Sequence, residues 1–430
     1  MIVDLTVSNF RSFKSEQTFS MNVEGARKRH PGNYTLAEDG KLAVLRSAAV
    51  VGPNASGKSN LLRAFAALRW LVKSSGTRGE GKRILPYEPY RLARENQNAP
   101  VRFEVEFIVP SGIRYAYTVS FLADRITEES LYSFANRQKA LIFQRDENDT
   151  WETVKFGGTY KGGNRKFPFF QNNAYLSRAG NDASAPGSIR EIYRYFDEMW
   201  YVGASARVLV SGYLDVAENM AAVGELICLA DTGVSSITAE IQENTENIKL
   251  PSDIPNEIKE AILEENRVSF KFSVESSEGE FVQFDQDAMS EGTVRLFQML
   301  PVILISLARG SLLVVDELDA HFHPSLLALI LKLFHDDDIN KKGSQIIFTA
   351  HDTNVLNSGV LRRDQIWFVC KDHGTSNIKS LEEYDKKYVR PDSPFDAFYM
   401  DGRLGALPKF SYDSVKTTIL KAISAKDDYK

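Results

Sequence analysis

Residues Gly52 to Asn60 read GPNASGKSN, and this stretch constrains the fold more than any other in the chain. Gly52, Gly57, Lys58 and Ser59 occupy the fixed positions of the phosphate-loop pattern G-x-x-x-x-G-K-[ST]. The run before it, Ala43 to Val51, is apolar and β-branched apart from Arg46 and Ser47, as a buried parallel strand should be. The run after it, LLRAFAALRWL, repeats apolar residues at helical spacing. Strand, glycine turn and helix N-terminus in that order point backbone N–H groups and a helix dipole at an anion. A glycine-rich turn that binds nothing is the competing reading. Four fixed positions agreeing with both flanking elements outweigh it. Gly52, Asn54, Ala55, Ser56, Gly57, Lys58, Ser59 and Asn60 are therefore expected to cradle the phosphates of a nucleotide, though kinases, GTPases and motor ATPases all carry such a loop. Lys58 would reach the β- and γ-phosphates, and the Ser59 hydroxyl would ligate Mg²⁺.

The chain has 430 residues, enough for two or three domains, and at 43% apolar and 25% charged it has the composition of a globular protein. The net charge of −5 argues against a protein coated by nucleic acid, though not against a local basic groove. Two distant cysteines, Cys228 and Cys370, make neither a disulfide framework nor a zinc pattern, and suit a reducing cytosol. The start, MIVDLTVSNF, lacks the basic and apolar regions of a signal peptide, and the longest apolar run, Met299 to Leu307, is too short to span a bilayer. A cytoplasmic protein without a membrane partner is expected.

The distal motifs narrow the chemistry. Ser311 to Glu317, SLLVVDE, is an apolar strand ending in two carboxylates. Beside a phosphate loop this is a Walker B strand, in which Asp316 holds Mg²⁺ through water and Glu317 polarises the attacking water as general base. Upstream, MSEGTV (289–294) opens an apolar helix with a Ser-x-Gly turn, a second anion-binding device. Downstream, SQIIFTAH (344–351) is a strand ending in His351. Asp319, His321 and His323 in LDAHFHP could suggest a metal cluster, but Asp316 and Glu317 are already committed and no further ligand pattern appears.

In this order the motifs resemble the ABC-type ATPases of the SMC, RecF and OLD kind. The resemblance makes Ser290 and Gly292 the signature loop, with Glu291 and Thr293 departing from the usual LSGGQ. It makes His351 the switch histidine at the γ-phosphate, and places Phe322 and His323 in the D-loop. VSNFRSF (7–13) looks like the first strand and turn of that group, so Asn9 to Ser12, Arg11 included, would sit near the nucleotide. Closer still are stand-alone ATPases of abortive-infection and restriction-linked loci, of the AbiL/RloA and PARIS kind. The segments PYEPYRL, NNAYLSRAG, LADTGVSSI, DELDAHFHP, RRDQIWFV and YMDGRLGALP carry that similarity along nearly the whole chain. No Q-loop glutamine is assigned near Tyr87 to Tyr90.

The expected fold is an α/β P-loop NTPase, an ABC-ATPase-like head with an antiparallel β subdomain and a compact helical insertion. Residues 1–157 would hold the first lobe, with Walker A and short strands at VRFEVEFIV, RYAYTVSF, TEESLYSF, ALIFQ and WETVKF. Residues 158–266 would be the mostly helical insertion (SIREIYRYFDEMW, VAENMAAVGELICLA, NEIKEAILEEN), without the sustained heptads of a long coiled-coil arm. Residues 267–430 would be the second lobe, whose final strand is IWFVC. The basic loops Ser74 to Arg83 and Gly157 to Lys166 read as mobile and solvated, with contact to a phosphate backbone as the sharper alternative.

Three functions compete: an ATPase sensor or scaffold of phage defence with a separate effector, a RecF-like DNA-repair clamp, and a nucleotide-gated interaction protein with slow turnover. OLD nucleases continue into a Toprim domain, whereas the stretch after Cys370 lacks a Glu strand followed by an Asp-x-Asp strand. Glu382, Glu383 and Asp385 read as the solvated end of a strand, and Asp392, Asp396 and Asp401 as loop. The first function is favoured. It implies a homodimer or higher oligomer, a Toprim or RloB-like nuclease as effector on another chain, and DNA or a phage protein as trigger.

Overall fold

The structure, a computed structural model, describes every residue except 25–29, 39, 136–137, 205, 207–210, 231, 242–267, 353–358, 386–394, 402, 404–410 and 425–430. Strands Ser47–Val51, Leu312–Val315 and Gln345–Thr349 are buried at every residue, as their continuous apolar runs require of strands covered on both faces. They lie in a parallel sheet ordered Trp200–Val202, Leu312–Val315, Gln345–Thr349, Ser47–Val51, Ile366–Asp372. Thr375–Ser380 closes the edge antiparallel.

Alternation along these strands feeds two cores, because successive side chains point to opposite faces. Ala48, Val50, Leu312, Val314, Ile347 and Val369 enter one; Ala49, Val51, Leu313, Val315, Ile346 and Phe348 enter the other. Helix Lys58–Ser74 fills the first core with Leu61, Leu62, Phe65, Leu68, Leu71 and Val72, together with helix Gly187–Asp197. Helices Glu291–Arg309 and Pro324–His335 fill the second. Glu291–Arg309 is long and apolar enough to cross a bilayer, but most of it is buried against the sheet.

The expected antiparallel subdomain is a seven-stranded sheet packed on the first core. Its order is Lys155–Phe156, Gln138–Asp146, Ile126–Ala135, Arg114–Phe121, Val101–Ile108, Ile2–Ser8, Gln17–Ser20. WETVKF contributes only Lys155–Phe156, since its first residues turn. IWFVC is not the last strand: TSNIKS (375–380) follows it as a hairpin. Its inward residues Ser376 and Ser380 are small hydroxyls, so no apolar alternation marks it.

Within 158–266, Tyr175–Gly180, Gly187–Asp197 and Ala217–Leu229 are helices, and NEIKEAILEEN lies outside the described residues. The segment is tied into two sheets. Trp200–Val202 is an edge strand of the parallel sheet, and Ser236–Ile241 pairs with Val268–Glu275, which pairs with Phe281–Asp285.

A buried polar clamp joins the antiparallel sheet to the end of helix Lys58–Ser74. Glu129, fully buried, accepts from Tyr117 Oη (2.9 Å), Arg145 Nε (2.8 Å) and the backbone N–H groups of Tyr175 and Leu176 (2.7 and 2.9 Å). Arg145 also donates to Asn173 O at 2.5 Å and lies over the Phe169 ring. The side chains of Asn172 and Asn173 donate in turn to carbonyls of Ser75, Arg78, Gly79 and Lys82. The basic loop expected to be free is thus pinned from behind by two asparagines of NNAYLSRAG.

Removing one partner of a buried ion pair strands the other charge. Arg145→Ala is expected to lower unfolding free energy by about 3 to 5 kcal/mol, checked by urea denaturation followed by near-UV circular dichroism. A change below about 1 kcal/mol would show that the clamp is dispensable.

Candidate functional site

The phosphate loop sits at the C-terminal end of Ser47–Val51, and its glycines are dictated by contact. A Cβ on Gly57 (φ +115) would lie 2.3 Å from Ser376 Oγ and 2.8 Å from Ser12 Oγ. A Cβ on Gly52 would lie 2.4 Å from Val369 O. Neighbouring segments hold the loop in this tight form. Ser376 donates through Oγ to Ser56 O (2.5 Å) and through its backbone N–H to Ser12 O (2.8 Å). Asn60 Nδ2 donates to Ser12 Oγ at 2.8 Å. Lys58 Nζ donates to Gly52 O (2.7 Å) and Pro53 O (3.2 Å). Burial lowers the Lys58 pKa from its ordinary value, while Asp316, Glu317 and Asp319 pull it back up.

Asp316 is buried at the end of Leu312–Val315. Its Oδ1 accepts from Ser59 Oγ at 3.0 Å and from Thr349 Oγ1 at 2.7 Å, joining the loop helix to the neighbouring strand. Its Oδ2 takes no hydrogen bond from any described residue. A hydroxyl and a carboxylate converging with open lone pairs form a donor set suited to Mg²⁺, a hard cation that takes oxygen ligands.

Glu317 follows with φ 55, a left-handed conformation uncommon outside glycine. The Thr349 hydroxyl holds it there, accepting from Glu317 N at 2.6 Å. The Glu317 carboxylate lies 3.3 Å from His351 Nε2. Beneath this pair, Asp319 Oδ2 accepts from the backbone N–H groups of His351 and Asp352, both at 2.7 Å.

A cavity of about 600 Å³ opens above these groups, lined by the loop from Asn54 to Asn60, by Glu317 and His351, and by Lys371. Sequence reasoning missed Lys371. It closes strand Ile366–Asp372, beside the phosphate-loop strand, and only that pairing brings it to the loop.

Other expected residues stand apart from the cavity. Arg11 is ion-paired with Glu88 and donates to Asn60 Oδ1 at 3.3 Å, so it meets the loop helix without lining the cavity. Asn9 is buried, holding the carbonyls of Asn96, Ala99 and Pro100 and accepting from Tyr90 N. Tyr87 is buried too, and Tyr90 Oη lies 3.0 Å from Thr375 Oγ1. Ser290 caps helix Glu291–Arg309, accepting from Thr293 N at 3.2 Å. A Cβ on Gly292 would lie 2.6 Å from His321 O, so the turn expected to be the signature loop packs on the loop after Glu317, outside the phosphate-loop cavity.

His321 pairs with Glu291, and His323 accepts from Ser325 N to cap the next helix. Among the described residues no three or more His, Cys, Asp or Glu side chains are grouped to hold a metal ion, so Asp319, His321 and His323 form no cluster. Near the C-terminus, Glu382 is not solvated: its carboxylate is buried against Arg363 at 3.1 Å. Asp396 lies in helix Phe395–Met400, Asp401 pairs with Arg403, and Asp392 lies outside the described residues.

Residues 47–357 match the family described as "AAA domain, putative AbiEii toxin, Type IV TA system". No curated protein matches the chain. Among solved structures, the SMC head domain from Thermotoga maritima is similar at 14% identity, covering 88% of this chain and 98% of its own, with a TM-score of 0.39. The recombination mediator protein RecF with ATP, of the RecFOR pathway, is similar at 14% identity, 88% and 99% coverage and TM-score 0.36. A dimeric ATP-binding cassette in a post-hydrolysis state with ADP and Pi is similar at 10% identity, 88% and 100% coverage and TM-score 0.28.

Thr349 carries two bonds on one hydroxyl. Thr349→Val keeps the shape and strands the Glu317 N–H, at an expected cost of about 1 to 3 kcal/mol. Thermal unfolding of Thr349→Val and Thr349→Ser checks this: the valine variant should melt lower, and the serine variant close to the parent.

Proposed function

The chain belongs to this family of AAA domains, and from that premise we propose that it binds ATP with Mg²⁺ and hydrolyses it as an ABC-type switch. The observation that carries the proposal is the convergence on one cavity of the loop from Asn54 to Asn60, Glu317 and His351, with Asp316 bonded to both Ser59 and Thr349 beneath it.

In this proposal Gly52 to Asn60 present backbone N–H groups to the phosphates, and Lys58 turns from its own loop carbonyls to phosphate oxygens. Ser59 and Asp316 hold Mg²⁺, which when bound neutralises charge on those oxygens. Glu317 orients the attacking water and accepts its proton, and His351 orients Glu317 from 3.3 Å. Arg11 positions the first turn of the loop helix through Asn60.

Ser290 and Gly292 lie away from the cavity of their own chain, which supports a composite site: the signature turn of one copy completes the phosphate loop of another. At least a homodimer holding two ATP molecules is the form this geometry favours. The description of the family and the segments shared with abortive-infection ATPases support the biological role. The chain would be a cytoplasmic sensor or scaffold of phage defence, gating a nuclease of Toprim or RloB-like kind on a separate chain, with DNA or a phage protein as trigger.

Removing the general base should keep binding and slow the chemistry. Glu317→Gln is expected to retain ATP affinity with kcat reduced on the order of 10² to 10⁴-fold, and Lys58→Ala to lose binding. Phosphate release and equilibrium binding on the purified chain test both, and parent-rate turnover by Glu317→Gln removes the assignment. Light scattering of Glu317→Gln with ATP should give a dimer or larger, and a monomer at saturating ATP overturns the composite site. Purified protein with ATP and Mg²⁺ should leave DNA and RNA intact; metal-dependent cleavage by the lone chain refutes the need for an effector.

A further inference from the structure

We infer that Lys371 is a second nucleotide-binding cation, contacting the α-phosphate end of the bound nucleotide on the side away from the hydrolytic groups. The inference rests on the nucleotide-binding reading of the cavity and assigns a specificity role within it. Three observations carry it.

Lys371 lines the same cavity as the phosphate loop, and its ammonium makes no hydrogen bond or ion pair with any described residue. Carboxylates that could have neutralised it are otherwise engaged: Glu317 faces His351, Asp316 faces Ser59 and Thr349, and Asp372 pairs with His373. A lone cation beside a ring of loop N–H groups leaves the cavity with positive charge at two points, Lys58 and Lys371.

The register fixes which face the side chain takes. Lys371 stands opposite Ser376 in the antiparallel pair, so both project to one face of the sheet. Ser376 Oγ reaches Ser56 O on that face, placing Lys371 on the loop side too.

The strand order fixes which end of the nucleotide it meets. The phosphate-loop strand has Gln345–Thr349 on one side, then the strand leading to Asp316 and Glu317; on its other side lies Ile366–Asp372. Glu317 and His351 therefore flank the loop from one side and Lys371 from the opposite one. With hydrolysis at the γ-phosphate beside Glu317, the far flank receives the α-phosphate and the nucleoside. A cation there strengthens ATP and ADP binding alike and leaves the chemical step unchanged.

The test is calorimetric binding of ADP and of a non-hydrolysable imido analogue of ATP, each with Mg²⁺, to full-length parent, Lys371→Ala, Lys371→Arg and Lys58→Ala. Lys371 is exposed, and an unchanged melting temperature without nucleotide confirms that Lys371→Ala folds. Expected is an affinity loss of about tenfold for both nucleotides in Lys371→Ala, the loss of one charge-assisted contact. Lys371→Arg should bind near the parent affinity, and KM should rise in Lys371→Ala at constant kcat. Weakening of the ATP analogue alone would put Lys371 at the γ-phosphate and overturn the inference. Unchanged affinity in Lys371→Ala, with binding abolished in Lys58→Ala, overturns it while leaving the nucleotide site standing. Parent affinity in Lys58→Ala overturns the nucleotide reading itself, and the inference with it.

Discussion

One carboxylate oxygen, Asp316 Oδ1, joins the three elements on which the site depends. It accepts from Ser59 on the loop helix and from Thr349 on the adjoining strand, while Asp316 itself ends the Walker B strand. A buried carboxylate is costly unless it is hydrogen-bonded, so these hydroxyls do more than decorate a charge. They make the relative heights of two strand ends and the start of the loop helix interdependent. The two apolar cores on either face of the sheet supply most of the burial, but apolar packing alone tolerates small slides between elements. The Asp316 bonds remove that freedom where the phosphate chemistry would occur.

The same corner stores backbone strain. Glu317 at φ 55 and His321 at φ 69 sit in a conformation that disfavours residues with a Cβ, at a cost of order 1 to 3 kcal/mol each. Thr349 holds the first, and Asp319 ties the strained loop to the turn at His351 and Asp352. At its far end the loop lies on Gly292, where a methyl group would collide with His321 O. A displacement at Glu317 therefore has a contiguous mechanical route to the turn from Ser290 to Gly292. The route is physical contact between packed segments.

The parallel core was legible because its strands are buried on both faces and read as continuous apolar runs bracketed by glycine and carboxylate signals. The antiparallel sheet was legible because VRFEVEFIV and RYAYTVSF combine β-branched and aromatic residues between turns. Local pattern could not disclose pairings between distant segments. Trp200–Val202 is three residues long and becomes a strand only by lying beside Leu312–Val315. TSNIKS turns Ser376 onto the phosphate loop and Ser380 onto the turn that follows it, which leaves Ile378 as the one apolar residue of that face and no apolar alternation to read. Lys371 escaped for the same reason: a lysine at the end of a strand looks solvated until the sheet order sets that strand beside the phosphate loop. Glu382 looked solvated in a run of acids, and the buried Arg363 that pairs with it lies on the far side of the preceding hairpin.

The loop helix is held at both ends, and this limits what a ligand can change. At its start the loop and first turn are tied to Ser12 and Ser376. At its end Ser75 is gripped by Asn173, itself anchored through Arg145 to Glu129 in the antiparallel sheet. A helix fixed so cannot slide as a body toward an arriving phosphate. The soft element is the Lys58 side chain, which occupies the carbonyls of Gly52 and Pro53 and holds the loop closed on itself. In the proposed site, phosphate entry would exchange those two neutral acceptors for anionic oxygens, adding attraction between full charges to the hydrogen bonds the ammonium already makes. That exchange would be favourable for an anion carrying several oxygens and poor for a neutral ligand, so selectivity for phosphates in the proposed site would follow from what Lys58 must give up as much as from the N–H groups of the loop.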